Sequence, residues 1–186
     1  LNATPSWIII KNRSTTYNWI VLYTDTSKKL YLDLTNTPDS YSQTTRSSSI
    51  FTLENGTAVN GSGDDMIAYC FAPVSQYSSF GSYTGGGSTN VFVHTGFKPR
   101  FLLIKATSSA QSWVICDAAR HPINNGSGYD LKPDTTDSEG NNIGIDILSN
   151  GFRNVYNSNL TNGSGITYVY MALAENPFQA NGGLAR

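Results

Sequence analysis

The same series of short motifs occurs twice along the chain, and this repeat constrains the fold more than any other feature. It begins with Pro5-Ser6-Trp7-Ile8-Ile9-Ile10-Lys11, which corresponds to Pro99-Arg100-Phe101-Leu102-Leu103-Ile104-Lys105. Four further matches follow in the same order: Asn18-Trp19-Ile20-Val21 with Ser112-Trp113-Val114-Ile115, 31–37 with 129–135, Phe51 with Phe152, and Asn60-Gly61-Ser62-Gly63 with Asn162-Gly163-Ser164-Gly165. Ordered matches of this kind indicate an internal duplication.

Each copy consists of short apolar runs that predict strands. The runs are rich in β-branched and aromatic residues, as in Trp19-Ile20-Val21-Leu22-Tyr23 and Trp113-Val114-Ile115-Cys116, and Asn-Gly or Gly-rich turns separate them. No segment keeps apolar residues at helical spacing for three turns, although 117–121 is compatible with a short helical turn. We therefore predict an all-β protein, a jelly-roll-like β-sandwich built from an internal duplication.

The repeat also predicts the domain organisation. We expect one β-sandwich over residues 1–186, with a first copy at 1–80, a linking Gly-rich strand at 81–96, a second copy at 97–178 and a C-terminal tail at 179–186. Two separable domains are the alternative. The first copy has no visible equivalent of the linking strand, so either residues are missing upstream or this strand completes a shared sheet.

The closing strand of each copy alternates between bulky and smaller side chains. The bulky residues are Ile67, Tyr69 and Phe71 in the first copy and Val169, Met171 and Leu173 in the second. A period of two is what a strand needs when one face is buried and the other partly covered. We expect the bulky face to be the buried one.

Composition argues against several classes of partner. The chain has 12 Lys and Arg against 13 Asp and Glu, a net charge of −1, and its basic residues are scattered. Nucleic-acid binding needs clustered basic residues, so we expect no nucleic-acid partner. No apolar stretch approaches the roughly 20 residues of a membrane helix, so we expect no membrane insertion. Cys70 and Cys116 are expected to be reduced and buried.

The sequence contains no recognisable catalytic machinery, and we expect neither enzymatic activity nor a cofactor. Glycoside hydrolysis needs two facing carboxylates, yet the acidic residues are predicted to lie mostly in loops. Asp64-Asp65 has no acidic counterpart in the second copy. The two histidines, His94 and His121, have no repeat partners and are expected to be ordinary polar residues.

One loop is a weak candidate for calcium binding. It carries Asp134, Asp137 and Glu139, whose oxygens are the hard ligands that calcium prefers. Their spacing does not match an EF-hand loop. The alternative is a polar loop whose side chains hydrogen-bond their own backbone, so we expect no metal as the default.

Aromatic residues fall into two groups. Trp19 and Trp113 occupy the same place in both copies within apolar runs, so we expect them in the core. The tyrosines in polar segments are candidate glycan contacts, because such rings stack on sugars and offer a hydroxyl. These candidates are Tyr41, Tyr77, Tyr83, Tyr129 and Tyr156.

Several segments resemble a known kind of module. They are 80–90, Thr95-Gly96-Phe97-Lys98-Pro99, Leu148-Ser149-Asn150-Gly151-Phe152 and the ending 168–178 with Glu175-Asn176-Pro177-Phe178. Together they resemble a repeat module of tailed-bacteriophage virion proteins, many from marine and cyanobacterial phages, loosely labelled as tail fibres or structural proteins. The resemblance covers nearly the whole chain and implies no catalytic residues. The first copy departs from it by closing with Phe71-Ala72-Pro73.

The resemblance implies a structural and adhesive role in the virion. The expected function is that of a distal tail-fibre or receptor-binding domain that contacts host surface glycan. The main alternative is a capsid decoration (cement) protein that binds other virion subunits, and a polysaccharide depolymerase is a weaker one. Expected partners are other virion subunits and host cell-surface polysaccharide. A homo-oligomer is also expected, with the trimer as the form that phage proteins of these kinds often take.

Overall fold

The computed structural model describes residues 2–43, 45–120, 124 and 128–177. The chain divides into two compact units, Leu1–Pro73 (unit 1) and Val74–Arg186 (unit 2), each described below by itself. All the sheets are antiparallel, so the predicted all-β class is confirmed. In the described residues, no helix has the length and hydropathy needed to cross a membrane.

Unit 1 is a five-stranded sheet with a hydrophobic core packed on one of its faces. Its elements are β1 (Trp7–Asn12), β2 (Ile20–Leu22), β3 (Lys28–Tyr31), β4 (Asp39–Ser40), the short helix α1 (Thr57–Asn60) and β5 (Met66–Phe71). The strand order is β4-β3-β2-β1-β5. Ile8, Ile10, Ile20 and Leu22 project from β1 and β2 into a core with Tyr41, and Val59 of the unpredicted helix α1 packs there too.

Unit 2 is a sandwich of a four-stranded and a three-stranded sheet. Its strands are β6 (Ser78–Thr84), β7 (Val91–His94), β8 (Pro99–Ala106), β9 (Val114–Asp117), β10 (Gly128–Asp130), β11 (Gly140–Ile143), β12 (Ile145–Leu148), β13 (Gly151–Asn154) and β14 (Thr167–Ala174). The sheets run β6-β14-β8-β9 and β12-β13-β7, and β10 and β11 form a separate pair. The core includes Ile104 and Tyr170 of the first sheet and Val93 and Phe152 of the second, which confirms the sandwich-like fold.

The strands of the two units pair in the same order. In unit 1, β1 lies between β2 and β5, and in unit 2, β8 lies between β9 and β14. An internal duplication requires this likeness, although the duplication itself stays a prediction.

One of the sequence matches differs in register from the one that strand pairing gives. Leu30 pairs with Val21 in unit 1, as Leu131 pairs with Ile115 in unit 2. The strand pairing therefore matches Leu30 with Leu131, whereas aligning 31–37 with 129–135 matches Leu131 with a later residue of unit 1. Shared residue types guided that alignment, whereas hydrogen bonding between strands decides the structural register.

The expected burial of the closing strands holds only in part, and Tyr69 of β5 is 45% exposed. The side chains of β14 that join the sandwich core are Tyr168, Tyr170 and Ala172, not the bulky aliphatic set. Val169 and Met171, on the opposite face, are also buried, each 4% exposed. A tyrosine can be buried when its hydroxyl is satisfied, and the Tyr168 hydroxyl accepts from Gly163 N at 2.8 Å and donates to Asn159 O at 2.8 Å.

Other burial predictions hold for the second copy better than for the first. Trp113 and Cys116 are buried, but Trp19 and Cys70 are only half-buried, and both thiols are free. The expected helical turn at 117–121 is a tight turn over its described part. There the Asp117 carboxylate and carbonyl accept backbone N–H groups at 2.7 and 3.0 Å. His121 lies outside the described residues.

Candidate ligand groove

A half-open cavity of about 460 Å³ lies on unit 2. We call it the polar groove; its lining residues are Gln76, Gly96, Phe97, Lys98, Ser149, Ala174, Glu175 and Asn176. All but Gln76 belong to motif segments named above, 95–99, 148–152 and 168–178. Segments far apart in the sequence therefore meet at one concave surface, as is typical of ligand sites.

Backbone contacts fix the two turns at one side of the groove. The carbonyl of Asn150, in the β12–β13 turn, accepts from Thr95 N at 3.0 Å and Gly96 N at 3.2 Å. Gly96 has φ +85, a conformation that favours glycine. At Gly151 a Cβ would lie 2.1 Å from the carbonyl oxygen of Val93, so only glycine fits. The left-handed turn and the close strand approach explain why the motifs carry glycine at these two positions.

Lys98 and Glu175 form an ion pair at the groove. Lys98 Nζ lies 2.7 Å from Glu175 Oε2, and Glu175 N donates to the Lys98 carbonyl at 2.9 Å. The Lys98 side chain is 49% exposed and that of Glu175 26%. Such partly exposed pairs add little stability, about 0–1 kcal/mol. Their main consequence here is that two opposite charges are held together at a fixed place.

Gln76 has an unfavourable backbone conformation at the groove. It lies in the turn before β6, where the Val74 carbonyl accepts from Tyr77 N at 3.0 Å and Ser78 N at 2.9 Å. Its φ of +61 is in the left-handed region, which costs a non-glycine residue about 1–2 kcal/mol. Glycine would suit the turn better, so a strained glutamine that lines a cavity is a candidate functional group. Nothing in the sequence pattern indicated this residue.

The Gly-rich segment before β7 has a structural role instead. Asn162 is fully buried; its Nδ2 donates to Gly87 O at 2.9 Å, and its Oδ1 accepts from Gly86 N at 2.9 Å. A Cβ on Gly85 would lie 2.3 Å from the Gly163 carbonyl oxygen. Hydrogen bonds and close packing therefore join two motifs, Gly85-Gly86-Gly87 and Asn162-Gly163-Ser164-Gly165. Neither motif contributes a residue to the groove.

Three of the five candidate tyrosines are exposed and two are not. Tyr77, Tyr129 and Tyr156 are 40%, 47% and 56% exposed, and Tyr77 directly follows Gln76 of the groove. Tyr41 is buried at 6% exposure, and its hydroxyl accepts from Glu54 N at 3.2 Å. Its ring packs in the core of unit 1 and offers no stacking face.

Tyr83 is half-buried and packs against the core of unit 2. Its ring stacks on Tyr168 with 5.0 Å between centroids, and its hydroxyl donates to Thr161 O at 2.7 Å. Burial, reinforced by the neighbouring Tyr168, raises the pKa of Tyr83 well above its ordinary value. The rings of Tyr41 and Tyr83 are therefore poorly placed to contact a glycan. Alternation along a sequence could not reveal that these rings point inward.

The calcium candidates lie beside different cations. Asp137 is 3.7 Å from Lys132, and Glu139 is 2.6 Å from Arg120. Burial raises the pKa of Asp134, and the charge of Lys105 opposes the rise. Among the described residues, no three His, Cys, Asp or Glu side chains could hold one ion together.

In this loop a side chain instead hydrogen-bonds the loop's own backbone, as expected of a polar loop. Thr135 Oγ1 accepts from Asp137 N at 3.2 Å, which is the local side-chain-to-backbone contact expected of a polar turn. The geometry therefore favours a polar loop over a calcium site.

A buried lysine was missed by the sequence analysis. Lys105 is fully buried, and its Nζ donates to the carbonyl of Ala106 at 2.9 Å. Burial lowers its pKa to about 8, although Asp134 opposes the shift. Its repeat counterpart Lys11 makes the equivalent contact with Asn12 O at 2.8 Å. The repeated Lys could have indicated this contact but not its burial.

Two further aromatic side chains lie on the outer face of the three-stranded sheet. Phe92 is 47% exposed on β7 and packs edge-on to His94 with 6.4 Å between ring centroids. Arg153, opposite Phe92 on β13, binds the buried Asp146 at 2.6 Å. Aromatic exposure is therefore not confined to the tyrosines of polar segments.

Two units of antiparallel sheet, one of them a sandwich with a polar groove, define an all-β module. The chain belongs to the family described as a domain of unknown function (DUF7483), whose match covers residues 1–177 and therefore parts of both units. No curated protein and no solved structure matches it.

Proposed function

We propose that this chain is a non-enzymatic attachment module of a tailed-phage virion and that it binds host surface glycan through the polar groove of unit 2. The observation that carries the proposal is the convergence of separated segments on one concave, polar surface. The resemblance of those segments to phage virion modules supplies the biological setting.

The chemistry of the groove suits a ligand rich in hydroxyl groups. Gln76 and Asn176 supply amides, Ser149 a hydroxyl, and Lys98 and Glu175 a donor and an acceptor. These groups sit on turns that β-strands hold in place. A preorganised surface loses less conformational entropy on binding, which favours affinity from many weak polar contacts.

The same groove argues against a hydrolase. Of the lining residues named above, Glu175 is the single carboxylate, and Lys98 holds it at 2.7 Å. A glycosidase of the usual kind needs a second carboxylate within about 5–10 Å across the bond to be cleaved. The proposal is therefore binding without turnover.

Gold-labelled antibody against this chain on intact virions, viewed by electron microscopy, tests the proposal. The attachment role predicts label at the tail tip or fibres. Label spread over the head would contradict it and favour the decoration protein, which binds capsid subunits. Release of soluble oligosaccharide from host polymer by the purified chain would contradict the non-enzymatic part.

A further inference from the structure

We infer that the polar groove selects an uncharged saccharide over an acidic one, an inference that rests on the proposed glycan-binding function. The selection would come from the Lys98–Glu175 pair and from the amide of Gln76. Their charges and their hydrogen-bond donors and acceptors determine which ligands the groove can bind.

The charges of the groove cancel within one ion pair. Lys98 is the cation and Glu175 the anion among the lining residues, and their charged atoms are 2.7 Å apart. The backbone bond from Glu175 N to Lys98 O ties the two residues together a second time. A carboxylate on a sugar would have to replace Glu175 as the ion-pair partner of Lys98. It would also lie near the negative charge of Glu175, and both effects oppose binding.

A neutral sugar meets no such penalty. Each hydroxyl can donate to Glu175 and accept from Lys98 or from an amide, so the ion pair can stay intact while both partners gain hydrogen bonds. The cavity volume of about 460 Å³ falls within the usual range of small-ligand sites, about 300–1,000 Å³. Phe97, which is 8% exposed, supplies apolar surface at the same place.

Gln76 adds a hydrogen-bonding side chain on a turn of defined backbone conformation. Its turn is held by two backbone bonds to Val74 O, so its amide is presented from a defined backbone position. Gln76→Gly keeps the left-handed turn and removes only the side chain. This variant should fold as the unaltered chain does and lose affinity for the sugar.

The test is a binding assay of the full chain against neutral and uronate- or sialate-bearing oligosaccharides. We expect binding to neutral glycans, with acidic ones weaker by about tenfold or more. Glu175→Gln leaves Lys98 without its counter-charge, so it should weaken neutral binding and strengthen acidic binding. Glu139→Gln is the matched control, since Glu139 also forms an ion pair, with Arg120 at 2.6 Å, but does not line the groove.

The outcomes separate the inference from the proposed function. Equal or stronger binding of acidic glycans, or a Glu175→Gln profile identical to that of Glu139→Gln, overturns the inference and leaves glycan binding standing. No glycan bound by the folded, unaltered chain overturns both. If Glu175→Gln fails to fold, the comparison of neutral and acidic glycans on the unaltered chain still tests the selection. Amide shift mapping with a bound neutral sugar then tests the site, because shifts must centre on Gln76, Lys98 and Glu175.

Discussion

Asn162 illustrates, at the scale of single residues, how a buried amide holds two loops together. Its side chain bonds Gly86 and Gly87 from inside unit 2, where water cannot replace those bonds. Leaving buried polar groups unsatisfied costs more than the net worth of a typical hydrogen bond. The residue therefore fixes the Gly-rich segment more firmly than its composition alone implies.

Replacing Asn162 should destabilise unit 2 strongly. We expect Asn162→Ala to lower the free energy of unfolding by about 2–4 kcal/mol, since it removes three hydrogen bonds and leaves a cavity. Chemical denaturation measures the loss. The control is Asn60→Ala, the sequence counterpart in unit 1, whose exposed side chain should contribute less than about 0.5 kcal/mol. Equal losses in the two variants would contradict this account.

Lys105 should make stability depend on alkaline pH. Burial lowers its folded pKa to about 8, from 10.5, so the unfolded chain binds more protons between these values. Stability then rises with pH across that window. The gain between pH 7 and 10 should be about 2 kcal/mol relative to Lys105→Met, which cannot titrate. Denaturation midpoints of both proteins across this range measure it, and parallel profiles would refute the prediction.

At the scale of elements, β7 and β13 depend on a glycine for their close approach. The Cβ of Gly151→Ala would lie 2.1 Å from Val93 O, so the strands must separate or the turn must shift. We expect a loss of about 2 kcal/mol or more in unfolding free energy, together with weaker glycan binding because the same turn contacts Gly96. Gly56→Ala is the control, since its nearest atoms belong to the Glu54 side chain at 3.8 Å. A Gly151→Ala chain as stable as the control would contradict the argument.

Strand identity was readable from the sequence because runs such as Trp7 to Ile10 have strand length and β-branched composition. Side-chain direction was less readable. Strand β14 is buried on both faces over 168–172, so alternation could not indicate which face joins the sandwich core. Helix α1 escaped detection because four residues are too few to show a helical period.

At the scale of the whole molecule, the polar groove could not have been predicted as a site. Gln76, Lys98, Ser149 and Glu175 are separated by tens of residues and meet only through strand pairing and turn contacts. Their motif segments could be picked out from the sequence, but not their convergence. No sequence pattern singles out Gln76 either, since its importance rests on a backbone conformation.

Saturable binding of the purified chain to host cells would be direct evidence for the proposed attachment. We expect excess chain to bind the cells and to slow adsorption of the phage proposed to carry it, whereas Gln76→Gly at the same concentration should do neither to the same extent. Glu139, which does not line the groove, provides the control variant Glu139→Gln with unchanged binding. No saturable binding by the folded chain, or full competition by Gln76→Gly, would rule out attachment through the polar groove.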